Sequence, residues 1–132
     1  MRGGAAVRLL ITGGAGFIGS SLARMAVEQG DLVTVLDDLS TGRRENLRGL
    51  DIRFIEGSLL DDAATAAALQ GVDSVTHLGA LPSVPRSIKD PLSSHEANAT
   101  GTLKLLEACR AAGVDHVTVA SSSSVYGMNP AH

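Results

Sequence analysis

The segment Thr12-Gly-Gly-Ala-Gly-Phe-Ile-Gly19 lies between a compact apolar run, Val7 to Ile11, and a helical pattern, and no other feature restricts the fold as strongly. Its glycines satisfy G-x-G-x-x-G through Gly14, Gly16 and Gly19, and also the three-apart variant Gly13, Gly16, Gly19. On its own such a string is weak evidence. It gains meaning from its flanks, because a tight turn from a buried strand into a helix aims backbone N–H groups and the positive end of the helix dipole at an anion. From Ile18 to Val27 the residues Ile18, Leu22, Ala26 and Val27 form one apolar stripe, expected to be buried, before Gly30 ends the helix. Leu32 to Leu36 reads as a second buried strand. Asp37 stands at its end, 18 residues beyond Gly19, where a carboxylate would hydrogen-bond the hydroxyls of an adenosine ribose and repel a 2′-phosphate. The unit predicts a dinucleotide site that favours NAD over NADP, with Arg43 and Arg44 nearby keeping NADP open.

The alternation continues down the chain. Ile52 to Ile55 predicts a third strand, Asp61 an N-cap for an Ala-rich helix from Ala63 to Gln70, and Val72 to Leu78 a fourth strand. A polar loop with Pro82 and Pro85 follows. Pro91 then opens a long helix running to about Ala112, with Ala99, Leu103 and Leu106 as its expected buried stripe, and His116 to Ser121 is the fifth strand. Strands alternating with helices imply right-handed crossovers, hence an α/β fold of the Rossmann type: a doubly wound, mainly parallel sheet with helices on both faces. The 132 residues suffice for one domain, 1–132, expected to be incomplete because it stops after about the fifth strand.

With 11 Lys+Arg against 14 Asp+Glu and a formal charge of −3, the chain offers no cationic surface for a phosphate backbone. Two Phe, one Tyr and no Trp leave little for base stacking, so nucleic acid is not an expected partner. Cys109 has no partner for an internal disulfide, and His77, His95, His116 and His132 form no cluster with metal-ligand spacing; a reducing, cytoplasmic setting and no metal are expected. Leu9 to Ile11 is too short for a signal sequence, and no run approaches membrane-spanning length. Cys109 reads as core packing, with no flanking base to activate it, and His77 as a structural residue at a strand end.

Taken together and in order, several segments resemble one family, the extended short-chain dehydrogenases/reductases, and within it the nucleotide-sugar 4-epimerases of the UDP-glucose or UDP-N-acetylglucosamine kind. They are Thr12 to Ser20, Leu36-Asp-Asp-Leu-Ser-Thr-Gly42, His77-Leu-Gly-Ala80, Ser83-Val-Pro-Arg-Ser87, Asn98-Ala-Thr-Gly-Thr102 and Ser121-Ser-Ser-Ser-Val-Tyr-Gly127. The resemblance implies NAD as cofactor and a UDP-sugar as substrate, inverted at C4 through a transient 4-keto intermediate. By position it puts Gly13, Gly16, Phe17, Ile18 and Gly19 around the pyrophosphate, and Asp37, Asp38, Ser40, Thr41 and Gly42 around the adenosine ribose. Ser58 and Leu59 fall by the adenine, although many relatives have Asp where Ser58 stands, and Leu78, Gly79 and Ala80 line the cofactor cleft. Ser122 matches the catalytic Ser/Thr that orients the sugar 4-hydroxyl, and Ser123 and Ser83 would face the sugar.

Other readings stand beside these. A serine in the run Ser121 to Ser124 is equally a solvated strand end, and Arg86 meets a substrate phosphate or is a solvated loop charge. Asn98 holds a proton-relay water beside the cofactor or satisfies neighbouring backbone. Tyr126 is not the general base: in the family that role belongs to a Tyr-x-x-x-Lys helix placed later, and this sequence contains no such motif, so the chain alone is expected to be inactive. The alternatives are a related dehydratase or decarboxylase and a non-catalytic NAD-binding module. Ser123 and Ser124 stand where dehydratases carry acidic residues, and a hydroxyl cannot shuttle a proton near neutral pH as a carboxyl can, which favours epimerisation. A homodimer is left open.

Overall fold

A computed structural model describes residues 4–128. Five strands, β1 (Arg8–Thr12), β2 (Leu32–Asp37), β3 (Arg53–Glu56), β4 (Ser74–His77) and β5 (His116–Val119), form one sheet in the order β3-β2-β1-β4-β5. Every neighbouring pair is parallel. The chain steps outward from β1 to β3 on one side, then returns to lay β4 and β5 on the other. The place where the order reverses, between β1 and β4, is where ligands bind beyond the strands' carboxyl ends in such sheets.

Successive residues of β1 point to opposite faces, and the two cores follow from that period of two. Leu10, with Leu36 and Val75, packs under α2 (Asp62–Ala68) and α5 (Gly101–Ala112) through Ala68, Leu69, Leu105 and Cys109. Ile11, with Val33 and Val35, packs under α1 (Phe17–Glu28) through Ala23 and Ala26, with Leu47 closing the far side. β1 and β2 are thus covered on both sides, which explains why they read as unbroken apolar runs. Asp61 caps α2 as the sequence implies, Oδ1 accepting from Ala63 N at 2.9 Å and Ala64 N at 3.2 Å.

Four expectations need correction. Of the expected stripe of α1, Ala26 is buried and Leu22 and Val27 pack against the same core, but Ile18 is 68% exposed and its place on the inner side is taken by Gly19 and Ala23. The segment from Pro91 to Ala112 is not one regular helix but α4 (Pro91–His95), a π turn at Glu96–Thr100, and α5. In α5 the buried stripe is Gly101, Leu105 and Cys109; Ala99 faces solvent, and Leu103 and Leu106 are 61% and 40% exposed. The proline-containing loop holds a further helix, α3 (Val84–Lys89), with Pro85 in its first turn, where a missing N–H costs nothing.

Strand bounds move by a residue or two, and β5 ends at Val119, short of the serine run. Cys109 is buried in the α5 core, and burial pushes its thiol up, so it is a packing residue. Among the described residues no helix is long and apolar enough to cross a membrane, and no three His, Cys, Asp or Glu side chains converge as a metal set; His132 lies outside the described residues.

Candidate functional site

The glycine turn closes the gap between β1 and α1, and its tightness is a matter of backbone contact. Gly13 has φ +69°, and a Cβ there would meet the backbone N of Gly79 at 2.8 Å. At Gly19 a Cβ would run into the carbonyl oxygen of Gly13, so the helix can start this close to the strand only with glycine. Gly16 differs, since its nearest obstacle is the Gly13 oxygen at 3.3 Å and its outer side is open. Gly16 is also the N-cap of α1 and brings no capping side chain, and no acidic residue lies in the first turn. The positive end of this 12-residue helix, at the topological switch point, therefore has no side-chain cap and no acidic residue in its own first turn. A pyrophosphate suits that helix start in charge and in hydrogen-bond acceptors.

Asp37 braces the turn from the β2 side. Its Oδ2 accepts from Ala15 N at 2.9 Å and its Oδ1 from Leu39 N at 2.8 Å, and the residue is only 8% exposed. An ionised carboxylate has about four acceptor positions, so roughly two remain for ribose hydroxyls. Leu39 is held at φ +59°, the one described non-glycine residue with positive φ. The next residues fold over Ala15: its carbonyl accepts from Arg43 N at 3.0 Å and Asn46 Nδ2 at 2.8 Å, and a Cβ on Gly42 would meet the Ala15 carbonyl carbon at 2.9 Å. Asp38 Oδ1 accepts from Ser40 N at 2.9 Å, and Ser40 and Thr41 are exposed beside it. Arg44 stacks its guanidinium 4.6 Å from the centre of the Phe54 ring.

The β4 side is held by different residues. Thr12 Oγ1 accepts from Leu78 N at 3.2 Å and Gly79 N at 3.1 Å, which seats the strand-end loop against the glycine turn. Asn98, in the π turn, accepts from Leu81 N at 2.7 Å and donates to Leu81 O at 3.2 Å, so of its two readings the backbone one is realised here. His77 is buried between Thr12 and Thr102, with ring nitrogens 2.6 Å and 2.8 Å from their hydroxyls, and burial pushes its pKa below the ordinary value. It is neutral near pH 7.

The remaining candidates are spread along the same edge. Leu59 packs on the α2 and α5 core and approaches Gly79, while Ser58 Oγ accepts from Leu60 N at 3.1 Å. Ser83 caps α3, accepting from Arg86 N at 3.2 Å. Ser122 caps the 3₁₀ turn Ser123–Tyr126, accepting from Ser124 N at 3.2 Å and donating to Ser124 Oγ at 3.1 Å. Ser123 and Ala80 are exposed, as are Phe17 and Arg86. The structure thus joins Gly13 to Gly19, Asp37 to Gly42 and Leu78 to Gly79 in one hydrogen-bonded rim, and it leaves Ser83 and Ser122 on separate caps. Thr12, Asn46 and Thr102 are the site-building residues that the sequence reading missed. Thr12 and Thr102 stand in segments that carry the family resemblance, whereas Asn46 has no signal of its own in the sequence.

A parallel sheet of this order with an uncapped glycine turn at its switch point defines a Rossmann-type α/β protein. The chain matches the NAD dependent epimerase/dehydratase family over residues 9–132 and belongs to that family. Among curated proteins it is 37% identical to a UDP-glucose 4-epimerase of Klebsiella pneumoniae over 94% of this chain and 95% of that protein. It is 42% identical to the UDP-glucose 4-epimerase of Mycolicibacterium smegmatis, over 96% of this chain and 42% of the relative. Among solved structures, UDP-glucose 4-epimerase from Brucella ovis in complex with NAD superposes with a TM-score of 0.87 at 37% identity, covering 93% of this chain and 38% of that one. The chain therefore spans about two fifths of the length of the last two proteins and nearly all of the first.

Proposed function

We propose that this chain is the NAD-binding portion of a nucleotide-sugar 4-epimerase that inverts a UDP-sugar at C4 through a transient 4-keto intermediate. The observation that carries the reading is the uncapped positive end of α1 beside a buried carboxylate, Asp37, that keeps acceptor capacity toward the same crevice. In this reading Gly13, Gly16, Phe17, Ile18 and Gly19 surround the pyrophosphate, and Asp37, Asp38, Ser40, Thr41 and Gly42 the adenosine ribose. Ser58 and Leu59 border the adenine, and Leu78, Gly79, Ala80 and Asn98 border the far half of the dinucleotide. When bound, NAD supplies the acceptor and donor of the C4 hydride. Ser122 orients the sugar 4-hydroxyl, and Ser83 and Ser123 face the sugar.

Deprotonation of that hydroxyl needs a base which no residue here provides, since the chain has no Tyr-x-x-x-Lys. The 132 residues alone therefore bind cofactor without turning substrate over, in the cytoplasm. Titration of the purified chain with NAD and with NADP, followed by native mass spectrometry and a UDP-glucose conversion assay, tests all of this. One NAD per chain, a preference over NADP of at least about tenfold from ribose contacts, and no conversion are expected. Equal affinities, no binding of either, or measurable conversion would each overturn the corresponding part.

A further inference from the structure

Three side chains to which the proposed function gives no task lie under the cofactor crevice in one hydrogen-bonded series: Thr12 at the end of β1, His77 at the end of β4 and Thr102 in α5. Proton accounting fixes its direction. A hydroxyl has one proton to give and two lone pairs to receive with. Thr12 Oγ1 receives twice, from Leu78 N at 3.2 Å and Gly79 N at 3.1 Å, so its proton points to His77 Nδ1, 2.6 Å away. The buried ring is neutral, so with Nδ1 accepting, the ring proton sits on Nε2 and is donated to Thr102 Oγ1 at 2.8 Å. Thr102 passes its own proton to the carbonyl oxygen of Asn98 at 2.6 Å. The side-chain amide of Asn98 then grips both the N–H and the C=O of Leu81.

The stretch 78–81 is in this way held at its first two amides by Thr12 and at its last residue by Asn98, and among the described residues side-chain hydrogen bonds through His77 and Thr102 join the two holders. We infer that Thr12, His77 and Thr102 are positioning residues: a one-way hydrogen-bond relay that sets the backbone of Leu78 to Leu81 against the glycine turn and so fixes where the nicotinamide half of a dinucleotide lies. The second clause rests on the proposed function. With the adenosine end assigned to Asp37 on β2 and the pyrophosphate to α1, the other half of the ligand crosses to the β4 side, where this stretch is.

Thr102 separates the relay from plain packing. Thr102→Val keeps the shape and deletes the hydroxyl; Thr102→Ser keeps the hydroxyl and deletes the methyl. Long-range ¹H–¹⁵N NMR of the His77 ring is expected to show a single Nε2–H tautomer in the wild-type chain and in the Ser variant. In the Val variant the ring loses that acceptor and leaves the single form, the Leu78 and Gly79 amides exchange faster, and NAD affinity falls about tenfold. A packing role would give the reverse order, with Val silent and Ser perturbed. An Nδ1–H tautomer in the wild-type chain overturns the relay without any variant, so misfolding of the Val form does not shelter it. If the wild-type chain does not bind NAD, the dinucleotide reading fails while tautomer and amide data still decide the relay. If NAD binds equally to wild type and a Val variant with altered ring signals, the relay stands and its role in placing the ligand is wrong.

Discussion

Asp37 does two jobs with one carboxylate, and only one was legible in the sequence. Its distance from Gly19 and its place at a strand end mark it as a ribose ligand, since that follows from the general geometry of a strand-turn-helix-strand unit. That the same oxygens also bind the Ala15 and Leu39 amides depends on where a loop of residues 38–46 folds back, which no periodicity encodes. The second job has a measurable cost. In Asp37→Ala two amides that the carboxylate now satisfies lose their acceptor, each worth about 1–3 kcal/mol where water cannot replace it. The urea midpoint is expected to drop together with NAD affinity, and the preference over NADP to relax. A ribose ligand and nothing more would lose affinity at constant stability, so an unchanged midpoint would refute the brace.

Among the elements, strands were read best and long helices worst, for a physical reason. A strand buried on both faces is unambiguous as a run of Val, Ile and Leu, and β1 and β2 differ from expectation by one residue at most. A helix must also be given a phase. The sequence of α5 carries two apolar stripes, Leu103 with Leu106 and Leu105 with Cys109, and helical spacing alone does not say which of them meets the core. The core takes the stripe that includes Gly101, whose missing side chain leaves room for Leu59, and the π turn before it resets the phase inherited from Pro91. Two substitutions check the assignment. Leu105→Ala, at 0% exposure, is expected to cost about 2–5 kcal/mol. Leu103→Ala should stay within about 0.5 kcal/mol. Thermal or urea unfolding of both variants settles the phase, and equal losses would mean that Leu103 is covered after all.

For the whole molecule, the strand-and-helix alternation was enough to give a parallel sheet with two covered faces, and the reversal of strand order then places the crevice between β1 and β4. What could not be read is that the two sides of this crevice are tied through a neutral, buried imidazole, because a lone histidine at a strand end has no signature of its partners. Burial of that ring makes the stability of the fold depend on pH. His77 in the folded chain titrates below the ordinary value near 6.5 because burial penalises its charged form. As pH falls through that ordinary value the unfolded chain takes up the proton first, so it binds more protons than the folded one and stability declines with falling pH. The decline runs from the unfolded value down to the lowered folded value and then stops. Asp73 and Asp90, held below the carboxylate range by Arg8 and by Ser93 respectively, stay ionised through this window and act only at lower pH. The urea midpoint should therefore fall as pH drops through and below the ordinary histidine value, with the ring as its main cause. In His77→Phe, less stable at every pH for want of the Thr12 and Thr102 bonds, the slope across that window should largely vanish. A wild-type midpoint that is flat over the same range, or a slope that survives the substitution, would show that burial does not keep this ring neutral in the folded chain.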